Sequence, residues 1–138
     1  MAIEQGINPF SIEADENLAA YQYHAVNINS TTGKLQPPAT TGHYALGILQ
    51  NKPGAAGRAG SVQTLAGTIT KAYVNTATAG DGIGYGTPLK ARSDGKLEAN
   101  TTGGVGYVLA RALETCATST TPKIITVMIT HEGPNSSA

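Results

Sequence analysis

Thr32-Gly33-Lys34-Leu35-Gln36 returns 62 positions later as Asp94-Gly95-Lys96-Leu97-Glu98. At the same offset Tyr23 meets Tyr85 and Gly42 meets Gly104. Gly47-Ile48-Leu49 is echoed at a slightly different spacing by Gly106-Tyr107-Val108-Leu109. Each copy reads as strand, x-Gly-Lys-Leu turn, loop, apolar strand, loop, strand. Two copies are too few for a solenoid. They suit two related halves closing one small, tulip-like barrel or sandwich, so the expected fold is mainly β.

The residue supply agrees with that class. Only 28 of 138 residues are Val, Ile, Leu, Met or Phe, whereas 55 are Ala, Gly or Thr. So few large apolar side chains make a thin core, and packing against a second body would complete it. Nine basic residues balance nine acidic ones. A protein that binds nucleic acid by neutralising phosphates needs a basic stripe, and this balance excludes it. Disorder usually pairs weak hydrophobicity with high net charge, and here the net charge is zero.

No run approaches the roughly 20 apolar residues of a membrane span. The first 17 residues carry Glu4, Glu13, Asp15 and Glu16 and no basic residue, which is unlike a signal peptide. Cys116 is the only cysteine, so no disulfide forms within the chain, and synthesis in a reducing cytoplasm is expected.

Residues 1–17 read as an extended arm. Ile3, Ile7, Phe10 and Ile12 are its apolar beads, and Pro9 interrupts any strand ladder. The plain reading is a frayed terminus. The sharper one is a segment that orders against a partner's sheet edge. Residues 18–130 form the expected β domain, and 131–138 a flexible polar tail. Within the domain, Asn51 to Gly60 reads as a mobile loop. Ser61 to Leu65 and Thr68 to Val74 read as strands. Thr87 to Arg92 and Lys96 to Ala99 make a hairpin around Asp94-Gly95. Val105 to Leu113 fits a strand or a short helix. Lys123 to Thr130 is nearly continuously apolar and should be buried on both faces.

Catalytic patterns are scarce. His24, His43 and His131 lack metal-ligand spacing, and no metal or cofactor is expected. Cys116 has no basic neighbour in sequence to activate it. Gly80 to Gly86 fits neither phosphate-binding glycine pattern and precedes a hairpin rather than a helix. The six tyrosines fall on expected strands, where core or interface packing accounts for them. No enzyme is expected.

Several segments in this order carry a family likeness. They are Leu46-Gly47-Ile48-Leu49, the Gly/Ala-rich loop, Val62 to Val74 and Ile83-Gly84-Tyr85-Gly86-Thr87-Pro88-Leu89. Asp94-Gly95-Lys96-Leu97-Glu98, Gly106 to Glu114 and a final apolar strand follow. Over roughly residues 18–130 the chain resembles the capsid decoration, or cement, proteins of tailed bacteriophages. The resemblance implies a β domain with an N-terminal arm, commonly a homotrimer on the virion's outer surface. It would clamp neighbouring major capsid protein subunits, with Ile3, Ile7, Phe10 and Ile12 on the capsid. Nucleic acid and membrane are not implied partners. The competing readings are a carbohydrate-binding or adhesion module, and another virion β protein such as a tail component.

Overall fold

The computed structural model describes residues 10–77, 82–100 and 106–134. Ten strands account for nearly all of the regular structure. They are β1 (Phe10–Glu13), β2 (Ala25–Ile28), β3 (Leu35–Gln36), β4 (Gly47–Leu49), β5 (Ala59–Gln63), β6 (Ile69–Thr76), β7 (Pro88–Ala91), β8 (Leu97–Ala99), β9 (Tyr107–Ala112) and β10 (Ser119–Pro134). The only helix among the described residues is a single 3-10 turn at Ala19–Tyr21.

The repeat seen in the sequence is a repeat of topology. The first five strands lie in the order β1-β5-β4-β2-β3. The second five close a barrel whose order, followed from β6, is β6-β10-β9-β7-β8. Within each half the strands therefore take the same places. Lateral pairings are antiparallel in both halves, and one parallel contact links the first strand to the third. That contact is Val74↔Leu97 in the second half and the bridge Ala14↔Leu35 in the first. Leu35 and Leu97 are the leucines of the two Gly-Lys-Leu turns. The glycine before each lies at positive φ, +72° at Gly33 and +83° at Gly95, a conformation with little steric cost only for glycine.

The mainly β fold of two related halves is thus present, with one difference from expectation. The second half closes a barrel by itself, and the first is a five-stranded sheet, instead of the two supplying halves of a single barrel. The parallel first-to-third contact has no signature in local sequence; it closes the barrel in the second half and is a single bridge just past β1 in the first.

Two cores result. Leu18, Val26, Leu35, Leu49 and Val62 fill the first half, with Ile12, Tyr21 and Leu46 packed against them. Val74, Leu89, Leu97, Leu109, Ile125, Val127 and Ile129 fill the barrel. Ala25 and Ile48 belong to the barrel's cluster although they lie on β2 and β4 of the first half. The β2–β4 pair is therefore buried on both faces. Backbone hydrogen bonds fasten the same seam. Ala25 N–H donates to Gly95 O (2.6 Å), and Tyr73 N–H to Tyr23 O (2.9 Å). Gly42 N–H donates to Ala91 O, and Tyr107 N–H to Gly42 O, both at 2.8 Å.

Other boundaries moved. The segment left open between strand and helix is β9, because it pairs with both β7 and β10. β10 runs on to Pro134, taking in the first four residues assigned to the tail. Phe10–Glu13, assigned to the arm, pair with β5 of the same chain. The 51–60 loop is tied down. Leu18 N–H donates to Pro53 O, Gly57 N–H to Ala14 O, and the Asn51 amide brackets Ala59 and Ser61.

Leu35→Ala and Leu97→Ala test whether the two leucines are equivalent. Both side chains are fully buried. Each truncation is expected to lower stability by about 2–5 kcal/mol. Urea unfolding should stay a single transition in both variants, because the halves share a wall. Two separated transitions would show that the halves unfold independently.

Candidate interaction surface

β1 places two of the four expected arm anchors. Phe10 and Ile12 are two residues apart, so they point to the same face. Ile12 sits opposite Gly60, where a Cβ would lie 2.5 Å from Leu35 Cδ1. Glycine lets β5 come down onto the core there, and Ile12 packs over it. Phe10 sits opposite the buried Val62, one step past the end of that core, and is 55% exposed. It is an apolar ring at the rim of a sheet. The exposed Glu13–Lys34 pair beside this strand (3.3 Å) adds little to stability. Ile3 and Ile7 lie outside the described residues.

The most exposed aromatic is Tyr85, at 79%. It stands at the tip of a turn rather than on a strand. Gly84 N–H donates to Thr87 Oγ1 (2.9 Å), Thr87 N–H to Gly84 O (3.2 Å), and Gly86 N–H to Ala112 O (2.7 Å). Arg111 holds the turn from below. Its Nη1–H donates to Gly86 O (2.8 Å), while Nε and Nη2 fork onto the Glu132 carboxylate at 2.7 and 2.8 Å. That fork holds the Glu132 carboxyl below its ordinary pKa and raises that of Arg111. A tyrosine fixed in this way loses little freedom on meeting a partner. Leu113, just past the end of β9, and Ile69 of β6, at 61%, are further exposed apolar residues of the barrel.

Aromatic rings also line the seam between the halves. Tyr44 meets Tyr107 edge-on (5.1 Å between centroids) and lies nearly parallel to His131 (6.1 Å). Tyr107 Oη and His131 Nδ1 are hydrogen-bonded at 2.8 Å, and His131 Nε2–H donates to Thr64 O at 2.7 Å. Burial, then the neighbouring Tyr44, raises the Tyr107 phenol above its usual pKa. Further along the seam, His24 is buried between Tyr21 and Tyr73, with Nδ1–H donating to Gln22 O (3.0 Å).

Of the six tyrosines only Tyr73 and Tyr107 lie on strands. The other four occupy turns and loops, which corrects the strand placement. An aromatic flanked by glycines, as in Gly84-Tyr85-Gly86, was the available signal for an exposed anchor. Cys116 is buried and forms a bridge with Ile83. Among the described residues no three His, Cys, Asp or Glu side chains gather to hold a metal ion. What the surface offers is apolar anchors on a stiff β frame, suited to protein contacts.

No protein-family model matches the chain, and no curated protein matches it in sequence. Its fold is similar to the crystal structure of the N base of head fiber gp8.5 in bacteriophage phi29. The likeness has a TM-score of 0.58 at 14% sequence identity, and it covers 90% of this chain and 94% of that one.

His24 makes stability pH-dependent. Burial is the largest influence and lowers its pKa below the usual 6.5, outweighing the bond to Gln22. The unfolded chain therefore takes up a proton near pH 6.5 while the folded one stays neutral. This contribution is complete above that pH and is lost as the pH falls below it. Thermal midpoints at about pH 7.5 and 5.5 should differ less in His24→Phe than in the wild type. An unchanged difference would remove His24 from the account.

Proposed function

We propose that this chain is a structural protein of a tailed-phage virion that decorates the outside of the head and braces neighbouring major capsid subunits. The observation that carries the reading is the shared fold, across nine-tenths of the chain, with the base of a phage head fiber. The likeness of residues 18–130 to capsid cement proteins points the same way.

The surface chemistry fits that work. A decoration protein binds a repeating protein lattice, so it needs fixed anchors more than deep pockets. Phe10 at the rim of the first half and Tyr85 on its braced turn are such anchors. A homotrimer would repeat both three times, and weak contacts made together multiply into firm attachment. Main-chain pairing at the free edge of β1 is a further mode open to a capsid strand.

Pelleting with undecorated, expanded capsids tests the reading. The protein should co-sediment at micromolar concentration. Phe10→Ala and Tyr85→Ala should each weaken binding about tenfold, which corresponds to about 1.4 kcal/mol. Protein that stays wholly in the supernatant would sink the proposal.

A further inference from the structure

Three neighbouring strands, β6, β10 and β9, form one side of the barrel, and their register fixes which side chains share its outer wall. Tyr73 lies beside Ile124, Lys71 beside Thr126, and Ile69 beside Met128. The residues between them, Ala72 on β6 and Ile125 and Val127 on β10, are buried in the barrel. The first set therefore points outward. Ile69, Ile124 and, just past β9, Leu113 are exposed, with Tyr73 and Met128 half-buried. Arg111, beside Met128, is taken up by Glu132. Two further charges interrupt this apolar wall, one on each side of Thr126. Lys71 flanks it on β6. On the β9 side Leu113 N–H donates to Thr126 O (2.9 Å), and the Glu114 carboxylate accepts from Thr126 N–H. Lys71 and Glu114 are thus set two strand spacings apart, about 10 Å. Among the described residues neither has an ion-pair partner. Lys123 lies beyond Ile124, at the end of the wall.

A body that covers this wall must be apolar, and it must bring an acid to Lys71 and a base to Glu114. The same wall turned over supplies both. Rotating a second copy about an axis along β10 sets its β6 side against this β9 side. Lys71 of each copy then meets Glu114 of the other, and the apolar residues between them meet across the axis. We propose that copies of this chain associate through this wall, with Lys71 of one copy paired to Glu114 of the next.

Opposite charges on the two flanks make the wall complementary to itself, where like charges on both would repel a second copy. The apolar side chains supply the attraction, and the charges set the register and exclude wrong partners. A three-fold axis in the same direction makes the same flank-to-flank contact, so the pairing is common to two copies and to three. The capsid reading is not needed for this inference, so the two can fail separately.

The test uses the full chain in solution, without capsids, by sedimentation equilibrium. The wild type should associate at about 10–100 μM, as suits a small interface. Lys71→Glu and Glu114→Lys should each weaken association about tenfold by setting like charges together. Glu114→Gln keeps an acceptor for Thr126 N–H, and its smaller loss ties the effect to charge. Combining Lys71→Glu with Glu114→Lys in one chain should restore most of the loss, since the swapped charges attract again. A monomeric wild type would overturn the proposal, as would single variants that associate normally or a double variant no tighter than either single one.

Discussion

Val26 and Leu49 face one core, while Ala25 and Ile48, their neighbours in sequence, face the other. This alternation makes the β2–β4 pair a wall common to both halves, and the rest of the structure depends on it. The first half alone has six fully buried core residues, too few to hold a small β body at a few kcal/mol per large side chain. Sharing a wall lets two short strands serve both halves. Gly47 shows how closely the wall is built, since a Cβ there would lie 2.0 Å from Gln63 O. No residue but glycine fits between β4 and β5 at that position.

The legible parts of the fold are those encoded over short distances. The two Gly-Lys-Leu turns announced the hairpins β2–β3 and β7–β8, because positive φ before a buried leucine is a local demand. The alternation in β6 was equally readable, but the apolar run in β10 misled: expected to be buried on both faces, it buries Ile125, Val127 and Ile129 on one face only, while Ile124 on the other is 44% exposed. The parallel contacts were not legible, neither Val74↔Leu97, which closes the barrel, nor the bridge Ala14↔Leu35, since they join residues 23 and 21 positions apart and leave no pattern. The candidate surface was half legible. Phe10 stood out as the only phenylalanine, whereas Tyr85 was hidden by the habit of reading tyrosine as strand or core.

Charge is allotted unevenly in this neutral chain. Lys90, Arg92, Asp94, Lys96 and Glu98 form a connected set of ion pairs over the β7–β8 hairpin, at 3.3 to 3.7 Å. Each such half-exposed pair contributes at most about 1 kcal/mol. Their placement matters more than their strength. They keep polar side chains off the apolar parts of the surface and confine them to a hairpin that the first half already partly covers.

Phe10 and Tyr85, the anchors of the proposed function, belong to different halves, so a load on one would reach the other only through the seam. Tyr85 passes it through Arg111 to β9 and through Glu132 to β10, the longest strand in the chain. From β9 the path crosses to the first half where Tyr107 N–H donates to Gly42 O, and again through the stacked Tyr44 and His131. From there the β4–β5 ladder leads to β1 and Phe10. Its steps are backbone hydrogen bonds, ladders, packed rings and the Arg111–Glu132 ion pair, and the stretch between β3 and β4 that it crosses is held by the bonds at Gly42. The bracing role proposed above would need that continuity. An anchor on a slack loop would yield before it bore any load.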